Sequence, residues 1–345
     1  MTVSVFGPDQ VRRRSRPRTG LVLGAGGVLG AAWMTGALAC LQDRLPYALG
    51  DVDVIVGTSA GSVLTAALRC HATVHDMVAW QRGEAAGPLR ESMVLAGEDG
   101  PLPPLPHLRL GSVPLAWTAL LQPHRVPPLV AASALMPHGR GQHVAVRTLV
   151  ETLHRHHHHR LWAGRAGRAE PHWVDGQAWI AAVDYETGQR VLFGRPGAPR
   201  ASLPDAVVAS CSIPGWYSPV DIGGRRYVDG GVRSDTSLDV LGGTDVQEVY
   251  VLAPMASTQP GHTLQPHLRI ERRIRQFITR SLVRQARALA AQGKRVTVLT
   301  PGAEDLAAMG INLMDPRRRQ AVLETSFRTS AAALAQLWTT GSRAA

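Results

Sequence analysis

Three short motifs hold residue types that could carry out acyl chemistry. The first is Gly57-Thr58-Ser59-Ala60-Gly61, a G-x-S-x-G directly after the apolar run Val52 to Val56 and before a helical pattern. A serine on a sharp strand-to-helix turn exposes its hydroxyl at the sheet edge, and glycines at 57 and 61 remove side chains that would clash there. The positive end of the helix beneath favours alkoxide character on Ser59 and an oxyanion nearby. A serine that merely caps a helix after a glycine turn has the same local sequence. The second motif is Gly24-Ala25-Gly26-Gly27-Val28-Leu29-Gly30, again between a strand and a helix. Counted from Gly24 it puts Leu29 where a dinucleotide fingerprint has its third glycine, and it lacks the G-K-[ST] of a phosphate loop. That leaves a tight turn, or bare N–H groups of Gly26 and Gly27 forming an oxyanion hole. The third is Tyr227-Val228-Asp229-Gly230-Gly231, an aspartate ending a strand before two glycines, which alone reads as a turn.

The elements that must position these residues alternate between strand and helix. GLVLG and VDVIVG are short, β-branched runs, each followed by small residues and a helical pattern, so the fold class is α/β with a mainly parallel sheet covered on both faces. The charge-free stretch Leu21 to Leu41 is long enough to span a membrane, but its five glycines favour strand, turn and helix. WIAAVDYETGQRVLFG predicts a hairpin around Glu186 to Gln189, DAVVASCSIPG a helix ended by proline, and VDIGGRRYVDGG a hairpin turning at Gly223 and Gly224. Residues 246–253 and 295–299 read as further buried strands. Ten of the 24 prolines fall between Gly87 and Gly141, which predicts a lid of short helices over about 87–141. The organisation predicted is a flexible basic tail over 1–18 and one domain over 19–345 that carries the lid.

A glycine-rich turn opening the first helix, G-x-S-x-G opening the second and D-G-G about 170 residues later form the arrangement of the patatin-like phospholipase family, which this chain resembles. The resemblance runs from about Thr19 to about Pro254 and includes Ala209 to Pro219 (ASCSIPGWYSP), the segment that precedes the family's D-G-[AG]. It implies a three-layer α/β/α fold and a lipid acyl hydrolase of the phospholipase A or lysophospholipase type. Ser59 would be the nucleophile, Asp229 the base, and the amides of Gly26 and Gly27 the oxyanion stabilisers. Gly57, Gly61, Gly230 and Gly231 would be the motif glycines, and no metal or organic cofactor is called for. The chain departs from the family's pattern at Ala25, where glycine is usual, and at Leu29, where a basic residue is. Backbone donation from Gly26 and Gly27 is untouched by either change.

Two rival readings stand beside this one. An α/β-hydrolase triad in the order Ser, Asp, His could use Ser59, Asp229 and either His262 or His267, although such enzymes build several strand-helix units before the nucleophile. A membrane-binding protein without catalysis could use Leu268 to Leu289, where Ile270, Ile274, Ile278 and Leu282 recur every four residues, joined by Phe277 and Leu289. The other face carries Arg272, Arg273, Arg275, Arg280, Arg284 and Arg287, and could lie on an anionic bilayer. A domain helix covering the sheet fits the same pattern better.

Composition narrows the classes further. The net charge is +11, and only Lys294 among 37 basic residues is a lysine, as the Ala, Arg and Gly bias of a GC-rich genome would give. With 5% aromatic residues there is little to stack on bases, so nucleic acid is not an expected partner. Cys40, Cys70 and Cys211 are widely spaced and odd in number, which excludes a disulfide framework and a cysteine zinc site. His154 and His156 to His159 form a polar run that reads as an exposed loop more readily than as a metal site. With no apolar leader near the N-terminus, the expected location is cytoplasmic, with peripheral contact at the inner membrane face. The expected partner is a lipid ester, and the sequence leaves the oligomeric state open.

Overall fold

Successive residues of the buried runs face opposite ways. In β2 (Thr19–Leu23) Leu21 and Leu23 enter one core and Val22 the other, and in β3 (Val54–Thr58) Ile55 and its neighbours Val54 and Val56 divide in the same manner. A strand that is apolar on both faces must be covered on both, so the layers are helix, sheet, helix. The computed structural model describes residues 2–6, 16–84, 107–162, 173–174, 176–257 and 266–342.

The sheet has nine strands among the described residues. Its centre is parallel, in the order β11 (Arg295–Thr300), β10 (Glu248–Leu252), β2, β3 and β6 (Gln177–Asp184). Antiparallel partners flank it. β6 pairs with both β7 (Arg190–Phe193) and β9 (Arg225–Asp229), and β9 turns through Gly223 and Gly224 from β8 (Val220–Ile222). Both predicted hairpins are therefore present, and the Gly223–Gly224 turn has positive φ at both residues, as a tight hairpin requires. On the other flank β1 (Thr2–Phe6) lies antiparallel to β11. Those residues were predicted as part of a flexible tail. Their alternating β-branched sequence instead closes the open edge of β11.

On one face lie α1 (Gly27–Gln42), α2 (Ala60–Arg69), α3 (Val74–Arg82), α6 (Val144–Trp162) and α7 (Leu203–Cys211). They share the larger core, centred on Trp33, Met34, Leu38 and Ile180. α9 (Ala303–Met309) and α10 (Arg319–Ser342) complete that side. Gly36 lets α1 and α10 meet closely, since a methyl there would sit 2.8 Å from the Ser326 Cβ. The opposite face is covered by α8 (Pro266–Ala290) through Leu282, Ala286 and Leu289. Leu21 to Leu41 divides into strand, glycine turn and helix, as the sequence predicts. Among the described residues no helix is long and apolar enough to cross a membrane.

Three details depart from expectation. The described part of the predicted lid is not helix alone. α4 (Val113–Leu121) and α5 (Pro128–Leu135) sit between the strands β4 (His107–Leu110) and β5 (Pro137–His138), which pair with each other. The rest of the predicted lid, before residue 107, lies outside the described residues. The histidine run belongs to helix α6 rather than to a loop, and His157 is buried against His71, with ring centroids 5.0 Å apart. In α8 the arginine face is not uniform either. Arg275 is buried and donates to the Pro254 carbonyl, while Ile274 and Phe277 from the predicted apolar stripe are exposed.

Candidate active site

The turn between β3 and α2 is too tight for any residue larger than glycine at its flanks. A methyl at Gly61 would overlap the Leu23 carbonyl oxygen, and one at Gly57 would overlap the Thr65 hydroxyl. Between them Ser59 is forced to φ 52° and ψ −121°, a conformation that costs a non-glycine residue on the order of 1–3 kcal/mol. Neighbouring elements hold that strain. The Ser59 N–H donates to the Ser210 hydroxyl at 2.9 Å, and Ser210 in turn donates to the Ala181 carbonyl at 2.6 Å. α7 therefore ties the serine turn to strand β6.

Asp229 ends β9 beside this turn. Its N–H donates to the Ser212 carbonyl at 2.9 Å, so one segment, Ser210 to Ser212, fixes both Ser59 and Asp229. The next turn is tight because a methyl at Gly230 would sit 2.5 Å from the Ala181 carbonyl oxygen. Asp229 is 4% exposed, and burial pushes its pKa up to about 6. The Gly231 amide, at 2.7 Å, and the Ser59 hydroxyl act in the opposite direction as hydrogen-bond donors. Among the described residues, serine and carboxylate thus meet with no imidazole between them. The Cys211 thiol, also within reach of Ser59, is pushed up to about 12 by burial and remains neutral.

The glycine turn after β2 lies alongside. Gly61 N–H donates to the Gly24 carbonyl at 3.2 Å, Gly24 N–H to Leu252, and Ala25 N–H to the Asp235 carbonyl at 2.9 Å, so the turn is pinned on three sides. Gly27 has φ 59°, and a methyl there would strike the Met314 sulfur at 2.7 Å. Among the described residues the amides of Gly26 and Gly27 have no intramolecular acceptor, as is normal for the first donors of a helix. They are available to an anion.

Ser59 and Gly27 open into one cavity of about 1360 Å³, its mouth to solvent included. Its walls are mostly aliphatic and aromatic, with Val63, Leu64 and Ala67 from α2, Met77 and Trp80 from α3, and Leu149 and Leu153 from α6. His143 and Tyr217 close one side, their rings stacked at 3.6 Å. Burial pushes His143 down to about 4, and its Nε2 donates to the Cys211 carbonyl at 2.9 Å, which makes it a neutral, weakly basic wall group. His262 and the side chain of His267, the alternative bases, lie outside the described residues.

A second carboxyl was missed by sequence reasoning. The Asp235 Oδ2 is sealed from solvent and has no hydrogen-bond partner among the described residues, and a methyl on Gly24 would lie 3.3 Å from it. Burial and the charge of Asp229 push Asp235 up to about 8, against a pull downward from Arg275. Nothing in its surrounding sequence marks it. His143, Tyr217 and Ser210 were missed as single residues for the same reason, although Ser210 and Tyr217 sit within the quoted ASCSIPGWYSP.

With this geometry in place, comparison with known proteins decides the family. The sequence profile described as patatin-like phospholipase matches residues 21–241, well over half of the 345. The chain belongs to the patatin-like phospholipase family. The patatin-like span begins in β2, contains Gly26, Gly27, Ser59 and Asp229, and ends before β10. Solved structures similar to this one include VipD from Legionella pneumophila, at a TM-score of 0.42 and 11% identity, with 93% of this chain and 67% of that one covered. ExoU from Pseudomonas aeruginosa, solved in its heterodimeric complex with SpcU, gives a TM-score of 0.36 and 18% identity over 93% of this chain and 60% of that one. The patatin-like chain thus spans about two thirds or less of the length of these neighbours.

Proposed function

We propose that this patatin-like protein is a serine hydrolase that cleaves carboxylic esters of lipids through an acyl-enzyme formed on Ser59. The observation that carries the reading is the placement of Ser59 on a strained turn, against a buried carboxylate, at the opening of an apolar cavity. Asp229 takes the Ser59 proton as Oγ attacks the ester carbonyl carbon. The carbonyl oxygen gains a negative charge beside the Gly26 and Gly27 amides. Collapse of the tetrahedral centre breaks the ester bond, and Asp229 returns the proton to the departing alkoxide. Water, deprotonated by the same carboxylate, then attacks the acyl-serine, and Ser59 leaves reprotonated with release of the fatty acid.

The cavity walls suit the substrate class, because an acyl chain leaving a lipid assembly needs an apolar path of its own. Dryness around Ser59, itself 6% exposed, strengthens both the base and the oxyanion donors. The test is labelling with a fluorophosphonate probe followed by peptide mapping, together with p-nitrophenyl ester hydrolysis by Ser59→Ala. Label on Ser59, and a rate loss on the order of 10³-fold or more, are expected. Label elsewhere, or near-normal hydrolysis by the variant, would remove the reading.

A further inference from the structure

Helices α4 and α5 present their apolar side outward. On α4, Val113, Trp117, Leu120 and Leu121 recur at one helical face and are 64%, 64%, 67% and 68% exposed, while Leu115 on the opposite face is fully buried. On α5, Leu129 and Leu135, with Met136 just after the helix, are likewise exposed, and Val130 and Ala134 are buried with Leu115 in a small core over Tyr185 and Val228. Surface helices of a soluble domain normally turn such a stripe inward. Six large apolar side chains on one helix pair, and a seventh at its end, exceed the scatter expected of a free surface.

Two further observations identify what covers this face. The first is charge. Between residues 100 and 150 the chain has no aspartate or glutamate but four arginines, and Arg125, in the turn between the helices, and Arg140, just beyond α5, are exposed. A tryptophan and leucines on a segment whose own charged residues are all arginine match an anionic lipid interface, where the rings and aliphatic groups enter the acyl boundary and the guanidinium groups meet phosphate. An acid from elsewhere in the chain, Glu186, lies by Thr118 and is within 3.8 Å of Arg226. The second is position. The strand after α5 leads directly to the cavity. Gly141 N–H donates to the Trp216 carbonyl at 3.0 Å, Ser218 N–H returns to the Gly141 carbonyl, and Tyr217 between them lines the cavity with His143. Val144, the residue after His143, is 52% exposed.

We infer that the α4–α5 face is the element by which this protein docks on an anionic lipid bilayer, entering it with Trp117, Leu120 and Leu121 and setting the mouth of the Ser59 cavity at the acyl boundary. The inference rests on reading the cavity as a lipid acyl site. Docking there spares a partly extracted acyl chain any passage through water.

The experiment is flotation with vesicles of phosphatidylcholine, with and without phosphatidylglycerol, beside hydrolysis of p-nitrophenyl butyrate in free solution. The triple variant Trp117→Ser, Leu120→Ser, Leu121→Ser is expected to lose vesicle binding tenfold or more with butyrate hydrolysis unchanged. Vesicle binding equal to wild type in that variant overturns the inference. So does a wild type whose self-association, rather than vesicle binding, is what the variant abolishes. Should the triple variant not fold, brominated phosphatidylcholine is expected to quench wild-type tryptophan emission more than that of Trp117→Phe, and equal quenching overturns the docking. A wild type that hydrolyses the butyrate ester but ignores vesicles sinks the docking and spares the hydrolase. One that docks through the stripe but leaves the ester intact does the reverse.

Discussion

At the scale of single residues, the buried Asp229 carboxyl puts chemistry and stability in opposition. Its pKa rises from 3.8 to about 6 mainly through burial, so the neutral acid is the form the folded chain prefers. The stability this contributes is fully present below about pH 4 and is lost as pH rises through 6, which amounts to roughly 3 kcal/mol for a shift of about 2 units. Asp229→Asn, which keeps an acceptor for the Gly231 amide, is expected to melt above wild type at pH 8 by about 1–3 kcal/mol and to match it at pH 4. Thermal unfolding at the two values checks this, and an equal gain at both would mean the charge is not the cause. The same variant should be nearly as inactive as Ser59→Ala. Asp235 adds a second limb. Because burial and the charge of Asp229 hold it up to about 8, it ionises on the alkaline side, beside the turn that would carry the oxyanion. The profile of kcat/KM against pH is expected to rise through about 6 and fall through about 8. Asp235→Asn should abolish the alkaline fall and keep the acid limb, and a fall retained in that variant would assign it to another group.

The secondary-structure elements explain why the site holds its shape, and also why only part of it is legible in the sequence. Ser210, at the end of α7, accepts from the Ser59 amide and donates to β6. Ser210→Ala leaves a buried donor and a buried acceptor without that partner, at roughly 1–3 kcal/mol each. Lower kcat with KM held, alongside a lower melting temperature, is the expected result, and unchanged kinetics would separate the turn from its latch. The glycine turns and D-G-G were readable because backbone crowding restricts them to very few residues, and the positive φ of Gly27 and Ser59 is the physical form of that restriction. The strand before Ser59 was placed two residues early, since Val52 is apolar and buried but precedes β3, while Thr58 stays in register with Ala181. The histidine run misled because polarity alone does not distinguish a loop from a helix anchored by Leu149, Leu153 and a buried His157. Asp235 and His143 left no local signal. Their roles arise from what the sheet order brings beside them.

For the molecule as a whole, the charge of +11 and the apolar face act at different ranges. Arg273, Arg280 and Arg284 are exposed on α8, whose second half is a core helix. If the protein docks as proposed, they would draw it toward anionic lipid over a distance of about 10 Å at 0.1 M salt and much less at 1 M. Replacing all three by glutamine is expected to weaken vesicle flotation at low salt by up to about 1 kcal/mol per arginine and to change little at 1 M. A loss that persists at high salt would place α8 itself in the bilayer. Stability is likewise a property of the whole chain, yet two of its local deficits sit at one point, in the positive φ of Ser59 and the buried charge of Asp229. A library of variants screened for heat resistance alone would therefore enrich glycine at 59 and asparagine at 229. Its most durable members would be inert toward esters, so thermostable descendants of this protein must be selected with turnover in the screen.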